Sequence, residues 1–283
     1  MINNEIYSLK DVSQHIAVIR SRYMFIKEKM NKILPLVLLL STLFVSAQSI
    51  SDLNKEKYYK LQINQFDYEV MNSYPQTVID VKNKKKKSII KLKTHGTLNE
   101  YNSIISNTNN ENIRDEKKYL QASELIDYTE ENIELIYNKL QLSELSELQC
   151  AKTILNFLSA VIKYDRKLAK EISSGVCFGR PASWVLENQR GTCGEYANLF
   201  IALMRLRGIP CKFITGLYYS ETQTSFHAWA EFYDAKTGWI AVDPQGGVIG
   251  ISSNHIKLME GIDYIDTGFD MTKCNLSIKE IKK

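Results

Sequence analysis

The stretch Gly191-Thr192-Cys193-Gly194-Glu195-Tyr196-Ala197, continuing as NLFIALMRLRGIP over residues 198–210, decides how the rest of the chain is read. Thr192 supplies a helix N-cap, and Gly208 followed by Pro210 supplies a stop. Between them Ala197, Phe200, Ile201 and Met204 fall on one helix face, and Leu199, Leu203 and Leu206 on another. A helix apolar nearly all round belongs in the middle of a core. Cys193 stands in its first turn, where unpaired backbone N–H groups and the positive end of the helix dipole favour a thiolate. A cysteine kept only for packing has no reason to occupy a Gly-flanked helix start, so Cys193 is the candidate nucleophile.

Downstream, Phe226 to Tyr233 (FHAWAEFY) alternates as a strand, with His227, Trp229, Glu231 and Tyr233 on one face. The five-residue connection from Asp234 to Gly238 suits a hairpin. If Tyr233 pairs with Trp239, Glu231 faces Ala241 and Trp229 faces Asp243. His227 and Asp243 then share a face one diagonal step apart, about 7 to 8 Å between β-carbons. A strand histidine is more often a packing residue. The other histidines fit chemistry less well: His15 lies in a leader, His95 in a lysine-rich segment, and His255 after a Ser-Ser-Asn loop. His227 is therefore the candidate base and Asp243 the acid that orients it.

Before the nucleophile, Leu125, Ile126, Ile133, Ile136 and Leu140, then Ile154, Leu155, Leu158 and Ile162, recur at helical spacing and predict two helices, with Ser143 to Glu147 as capping material between them. Tyr164 to Cys177, charged and Gly/Ser-bearing, reads as a loop toward the site. Tyr58 to Val70 mixes aromatic and β-branched residues as a strand or two would. Seven lysines between Lys82 and Lys93 read as a solvated hairpin or loop. Ser103 to Asn112 (SIISNTNNEN) reads as a linker.

The domain organisation expected is a leader and signal peptide over residues 1–47, a small, partly β region with its linker over 48–118, the catalytic domain over 119–265, and a tail over 266–283. Lys32, the apolar run Ile33 to Val45 and Val45-Ser46-Ala47 have the layout of a signal peptide starting at Met30, with cleavage before Gln48. The run is shorter than the roughly 20 apolar residues of a membrane span. This predicts a secreted or periplasmic protein with no stable membrane insertion after cleavage. Met30 or Met24 would then be the true initiator.

Without residues 1–47 the chain keeps 30 basic and 29 acidic side chains, a balance that gives no field for phosphates and argues against nucleic acid as a partner. The five cysteines, 150, 177, 193, 211 and 274, include no C-x-x-C pair and no grouping with histidine at metal-ligand spacing. No metal and no cofactor are expected. In an exported protein Cys150, Cys177, Cys211 and Cys274 could pair and leave Cys193 free; the alternative is buried thiols packed as small hydrophobes.

Gly191-Thr192-Cys193 before a buried helix, Arg205-Leu206-Arg207-Gly208-Ile209-Pro210 at its end, His227-Ala228-Trp229, and Gly238-Trp239 leading to Val242-Asp243-Pro244 together resemble the transglutaminase-like superfamily. Tyr119 to Asp165 resembles the segment those domains place before the nucleophile, and His255-Ile256-Lys257-Leu258 with Gly261 resembles their C-terminal edge. One departure is Gln245-Gly246-Gly247 after Asp243-Pro244, where a Thr is more usual. The resemblance implies an α+β fold with a papain-like core, in which the nucleophile helix packs on an antiparallel sheet carrying the His and Asp. It also implies a Cys193-His227-Asp243 triad attacking an amide of a peptide or protein substrate through a thioester. Hydrolysis is the favoured outcome, because water needs no acceptor site. Acyl transfer to an amine, a non-catalytic peptide clamp, and a surface protein using the thiol for a covalent thioester or disulfide are the alternatives. The backbone N–H of Cys193 is the oxyanion donor that the sequence assigns.

Overall fold

The computed structural model describes residues 53–64, 69–98 and 116–283. The proposed signal peptide and the 103–112 linker lie outside the described residues. Strand β1 (Lys57–Asn64) is followed by β2 (Gln76–Lys84) and β3 (Lys87–Thr94). The lysine-rich segment is thus a hairpin, with Lys84 opposite Lys87 at its turn. In β3 the side chains of Ser88, Ile90, Leu92 and Thr94 are buried, while the lysines between them lie on the other face.

Among the described residues five α-helices follow: α1 (Glu131–Lys139), α2 (Glu147–Val161), α3 (Arg166–Ser173), α4 (Ala182–Asn188) and α5 (Cys193–Leu206). The two predicted helices before the nucleophile are α1 and α2, and Ser146 with Gln149 forms a capping box at the start of α2. Leu125 and Ile126 are buried but outside any helix. Their segment instead holds the start of α4: the Leu125 carbonyl accepts from the Ala182 N–H, and Asp127 Oδ1 accepts from the Ser183 N–H at 3.0 Å. The expected 164–177 loop contains α3, because the Asp165 carboxylate accepts from the N–H groups of Lys167 and Leu168 and so caps a helix.

A short parallel pair, β4 (Lys163–Tyr164) with β5 (Arg190–Gly191), leads into α5. The main sheet comprises β6 (Cys211–Tyr219), β7 (Thr224–Asp234), β8 (Gly238–Asp243), β9 (Val248–Ile249) and β10 (His255–Gly261), in the order β10-β6-β7-β8-β9 with antiparallel neighbours. The hairpin register is the one read from alternation, Tyr233 opposite Trp239 and Glu231 opposite Ala241. The last strand, β11 (Leu276–Ile281), pairs with β1, so the 266–283 segment closes a second sheet of order β11-β1-β3-β2.

Helix α5 packs on β7 and β6 and is flanked by α2 and α4. Every side chain from Glu195 to Arg205 is buried, and Phe200 meets Phe232 of β7 at 6.4 Å between ring centroids. Each fully buried Leu, Ile or Phe contributes about 1.5–3 kcal/mol, so this one helix anchors the domain. It ends with Gly208 in the left-handed region at φ 84°, the Ile209 N–H returning to Met204 O and the Gly208 N–H to Arg205 O. That is the Schellman pattern, which places glycine after the last helical turn.

The two sheets share one core, in which Tyr59, Leu61, Ile90 and Leu92 meet Leu217, Ile256 and Leu258. Gln76 joins them further: its Oε1 accepts from the Lys257 N–H at 3.0 Å and its Nε2 donates to Lys257 O at 3.1 Å. The mixture of helices and antiparallel sheet is the α+β class expected, with the cysteine helix against the sheet.

Candidate active site

Helix α5 begins at Cys193 because the two residues around it make a closed cap. Thr192 and Glu195 form a capping box, and Glu195 Oε2 accepts from both the N–H and Oγ1 of Thr192 at 2.7 Å. Glu195 Oε1 accepts from the Arg180 N–H at 2.9 Å, so its buried carboxylate also ties the preceding loop to the helix. The backbone N–H groups of Cys193 and Gly194 belong to the first helical turn, which has no intrahelical acceptors for them. They sit where an anion would be stabilised.

Cys193 opens on a cleft of about 260 Å³ that His227 also lines. Its walls are mostly apolar: Phe178, Phe213, Phe226, Tyr264 and Phe269 contribute rings, and Ile172 comes from α3. Phe178 is largely exposed at the rim and stacks on Tyr264 at 6.4 Å. Trp184 packs over the guanidinium groups of Arg180 and Arg190.

The histidine and the aspartate meet directly. Nε2 of His227 lies 3.0 Å from Oδ2 of Asp243, and both side chains are nearly buried. Oδ1 of Asp243 accepts from the backbone N–H groups of Gln245 and Gly246 at 3.1 and 3.0 Å, which fixes the plane of the carboxylate. This is what the Gln-Gly-Gly stretch after Pro244 does here. Burial alone would lower the proton affinity of His227, but Asp243 and the Cys193 sulfur outweigh it and push its pKa up to about 10. Burial would likewise raise the Asp243 pKa, and the two neighbouring histidines instead hold it well below the usual carboxylate range.

The second of those neighbours is one that sequence reasoning passed over. His255 is buried at the start of β10, with Nε2 3.5 Å from Oδ2 of Asp243 and Nδ1 near Oγ and O of Ser252. Its place beside the site follows from β10 pairing with β6, His255 opposite Tyr218, a long-range register that local pattern does not reveal. Among the described residues, His227, Asp243 and His255 are the group whose donor atoms could share a metal ion, all lying within 4.8 Å of one another. In the arrangement found, His227 Nε2 is hydrogen-bonded to Asp243 Oδ2, and His255 Nε2 stands 3.5 Å from the same oxygen.

All five cysteines are free thiols. Cys150 and Cys211 are buried, and burial pushes the Cys150 thiol up to about 12 and the Cys211 thiol higher still, so they pack as small hydrophobes. Among the described residues no helix is long and apolar enough to cross a membrane.

Several known proteins are similar to parts of this chain. A segment of 71 residues, 22% of this chain, is 28% identical to a protein-glutamine gamma-glutamyltransferase of Pseudomonas aeruginosa, and 78 residues are 24% identical to the uncharacterized protein YebA of Bacillus subtilis. Each match spans 11% of the relative's own length. Among solved structures, a candidate cysteine protease from Cytophaga hutchinsonii superposes with a TM-score of 0.51 at 14% identity, covering 80% of this chain and 86% of that one. The periplasmic domain of TgpA from Pseudomonas aeruginosa gives a TM-score of 0.45 at 16% identity, over 68% of this chain and 70% of that one. Residues 136–244, which run from helix α1 through the cysteine helix to Asp243 and Pro244, match the sequence model of the transglutaminase-like superfamily, the family that the motifs around Cys193, His227 and Asp243 resemble.

Proposed function

We propose that the protein is an exported cysteine enzyme that cleaves amide bonds of a peptide or protein substrate through a thioester, with Cys193 as nucleophile, His227 as base and Asp243 as the orienting acid. The observation that carries this reading is that one imidazole is placed between a helix-start thiol and a buried carboxylate, at the mouth of a cleft. In the reaction His227 takes the Cys193 proton and the thiolate attacks the amide carbonyl. The developing oxyanion lies at the start of α5, where the N–H of Cys193 donates to it. His227 then returns the proton to the leaving amine, the C–N bond breaks and a thioester remains. Water, activated by the same imidazole, releases the acid and restores the thiol.

The apolar walls favour substrates with a large apolar side chain beside the scissile bond, since among the described residues the one carboxylate lining the cleft, that of Glu195, is committed to the N–H groups of Thr192 and Arg180. The layout behind Met30 supports export. An amide-type probe carrying a thiol-reactive group should add one mass increment to the intact protein, on Cys193, and none to the Cys193→Ala variant. Incubation with a peptide substrate and a primary amine then separates the outcomes: free acid for hydrolysis, amine-linked product for acyl transfer. No adduct and no product would leave the peptide clamp as the better reading.

A further inference from the structure

Asp243 is approached by two imidazoles, and the reaction above uses one of them. His255 reaches the same carboxylate oxygen, its Nε2 3.5 Å from Oδ2. That nitrogen has no well-directed hydrogen-bond partner, although the residue is only 6% exposed. The ring is boxed edge-on by Tyr218 and Trp229 at 5.1 and 5.3 Å and by His227 at 5.4 Å, so it cannot turn out to solvent. We propose that His255 is a positioning residue for the Cys193-His227-Asp243 group: its Nε2–H serves Oδ2 of Asp243 as a second imidazole donor and holds the carboxylate aimed at His227. The inference rests on the catalytic reading of that group.

The tautomer follows from the neighbours. Burial lowers the proton affinity of His255, so it is neutral and carries one N–H. If that proton were on Nδ1, it would be given to Ser252, and the Nε2 lone pair would point at an anionic oxygen in a dry interior. With the proton on Nε2, Nδ1 needs a donor, and Ser252 Oγ stands 3.1 Å away, while the Ser252 carbonyl, 3.2 Å from Nδ1, already accepts from the His255 backbone N–H at 3.0 Å. The Asn254 N–H lies 3.4 Å from that hydroxyl and leaves its proton free for the ring. A relay then runs from Ser252 through His255 to Asp243 and on to His227, and Oδ2 sits between two donors while Oδ1 is held by the Gln245 and Gly246 N–H groups. A carboxylate fixed at both oxygens cannot rotate away when His227 becomes an imidazolium, so it stabilises the thiolate–imidazolium pair fully.

The test reads Cys193 directly and needs no substrate: the rate of iodoacetamide alkylation of Cys193 in the full chain, followed against pH. Titratable groups facing this cluster are Cys193 from α5, His227 from β7, Asp243 at the end of β8, His255 from β10, Tyr218 from β6 and, beside Cys193, Tyr164 from β4. His255→Phe preserves the ring packing and removes the donor. It should move the low-pH midpoint for the reactive thiolate upward by about one unit, roughly a tenfold loss in the ion-pair equilibrium. His255→Gln, whose amide can reach the same oxygen, should restore most of that shift. Nitrogen-15 imidazole spectra should show His255 protonated at Nε2. A folded His255→Phe variant with the wild-type midpoint overturns the proposal, and so does an Nδ1–H tautomer, a measurement that stands even if the Phe variant fails to fold. A wild-type Cys193 with no low-pH reactivity would sink the catalytic reading itself, whereas a reactive Cys193 indifferent to His255 sinks this inference alone.

Discussion

Trp229 occupies the space where Gly216 would carry a side chain. A β-carbon built on Gly216 would come within 2.4 Å of the Trp229 ring and within 2.3 Å of the Ile256 carbonyl oxygen. Gly216 is also the direct cross-strand partner of His227, and the Trp229 ring stacks near that imidazole at 6.2 Å between centroids. The missing side chain thus lets β6, β7 and β10 close around His227.

Gly216→Ala should therefore disturb both stability and activity. Neither the carbonyl of a sheet strand nor a fully buried indole can yield easily, and overpacking of this kind costs about 1–3 kcal/mol. A fall in denaturation midpoint together with slower Cys193 alkylation is expected, because a displaced Trp229 moves His227. A variant as stable and as reactive as the parent would show that the indole has room to shift.

Arg205 provides the second test. Its guanidinium is buried and gives hydrogen bonds to the carbonyls of Gln121, Cys211 and Ile262 at 2.6 to 3.1 Å, joining three segments far apart in sequence. Burial lowers its pKa to about 10, which leaves it charged at neutral pH. Arg205→Met keeps the stem and strips those carbonyls of their donor, so a loss of about 3 kcal/mol is expected in urea unfolding. A loss under half that size would mean the carbonyls find other partners.

These two residues show what could be read locally and what could not. The α5 helix, its cap and stop, and the His227–Asp243 hairpin were legible because each rests on short-range rules: 3.6-residue periodicity, Thr and Gly at helix ends, alternation across a tight turn. Helix α3 was missed because its eight residues are mostly polar, and its only clear signal is the capping Asp165. The pairing of His255 with Tyr218, the approach of Gly216 to Ile256 and the pairing of β11 with β1 depend on contacts between segments tens to hundreds of residues apart. Side-chain pattern does not encode those partners directly. The leader and the linker before residue 116 lie outside the described residues, so their reading rests on sequence alone.

The raised pKa of His227 gives a prediction with a definite sign. Its folded value, about 10, lies above the ordinary imidazole value near 6.5, so the folded state holds the proton more tightly. The stability this adds is fully present below about pH 6.5 and is lost as pH rises toward 10. Melting temperature should fall across that interval more steeply in the wild type than in His227→Gln, where the titrating group is gone. Parallel curves for the two proteins would show that His227 titrates as it does in the unfolded chain.

Asp243→Asn tests the orienting acid most directly, and the loop after it decides which way the amide faces. The Gln245 and Gly246 N–H groups require an acceptor at the Oδ1 position, so the Asn oxygen is held there and the NH₂ group is turned to His227. An amide donor facing Nε2 demands a lone pair on that nitrogen, which moves the imidazole proton to Nδ1, the side that faces Cys193. A ring in that tautomer cannot accept the thiol proton. In a serine triad, a worked case in another protein, the matching change lowers turnover by about 10⁴. A thiol gives up its proton more readily than a hydroxyl, so a smaller loss of about 10 to 10³ in kcat is expected here. The low-pH midpoint for Cys193 alkylation should move upward at the same time, since the imidazolium loses its counter-charge. Folding should be nearly intact, because the two loop N–H groups keep their acceptor; Asp243→Ala, which removes it, should melt lower than Asp243→Asn. Unchanged turnover in a folded Asp243→Asn protein would remove the acid from the proposed triad and leave Cys193 and His227 as a dyad.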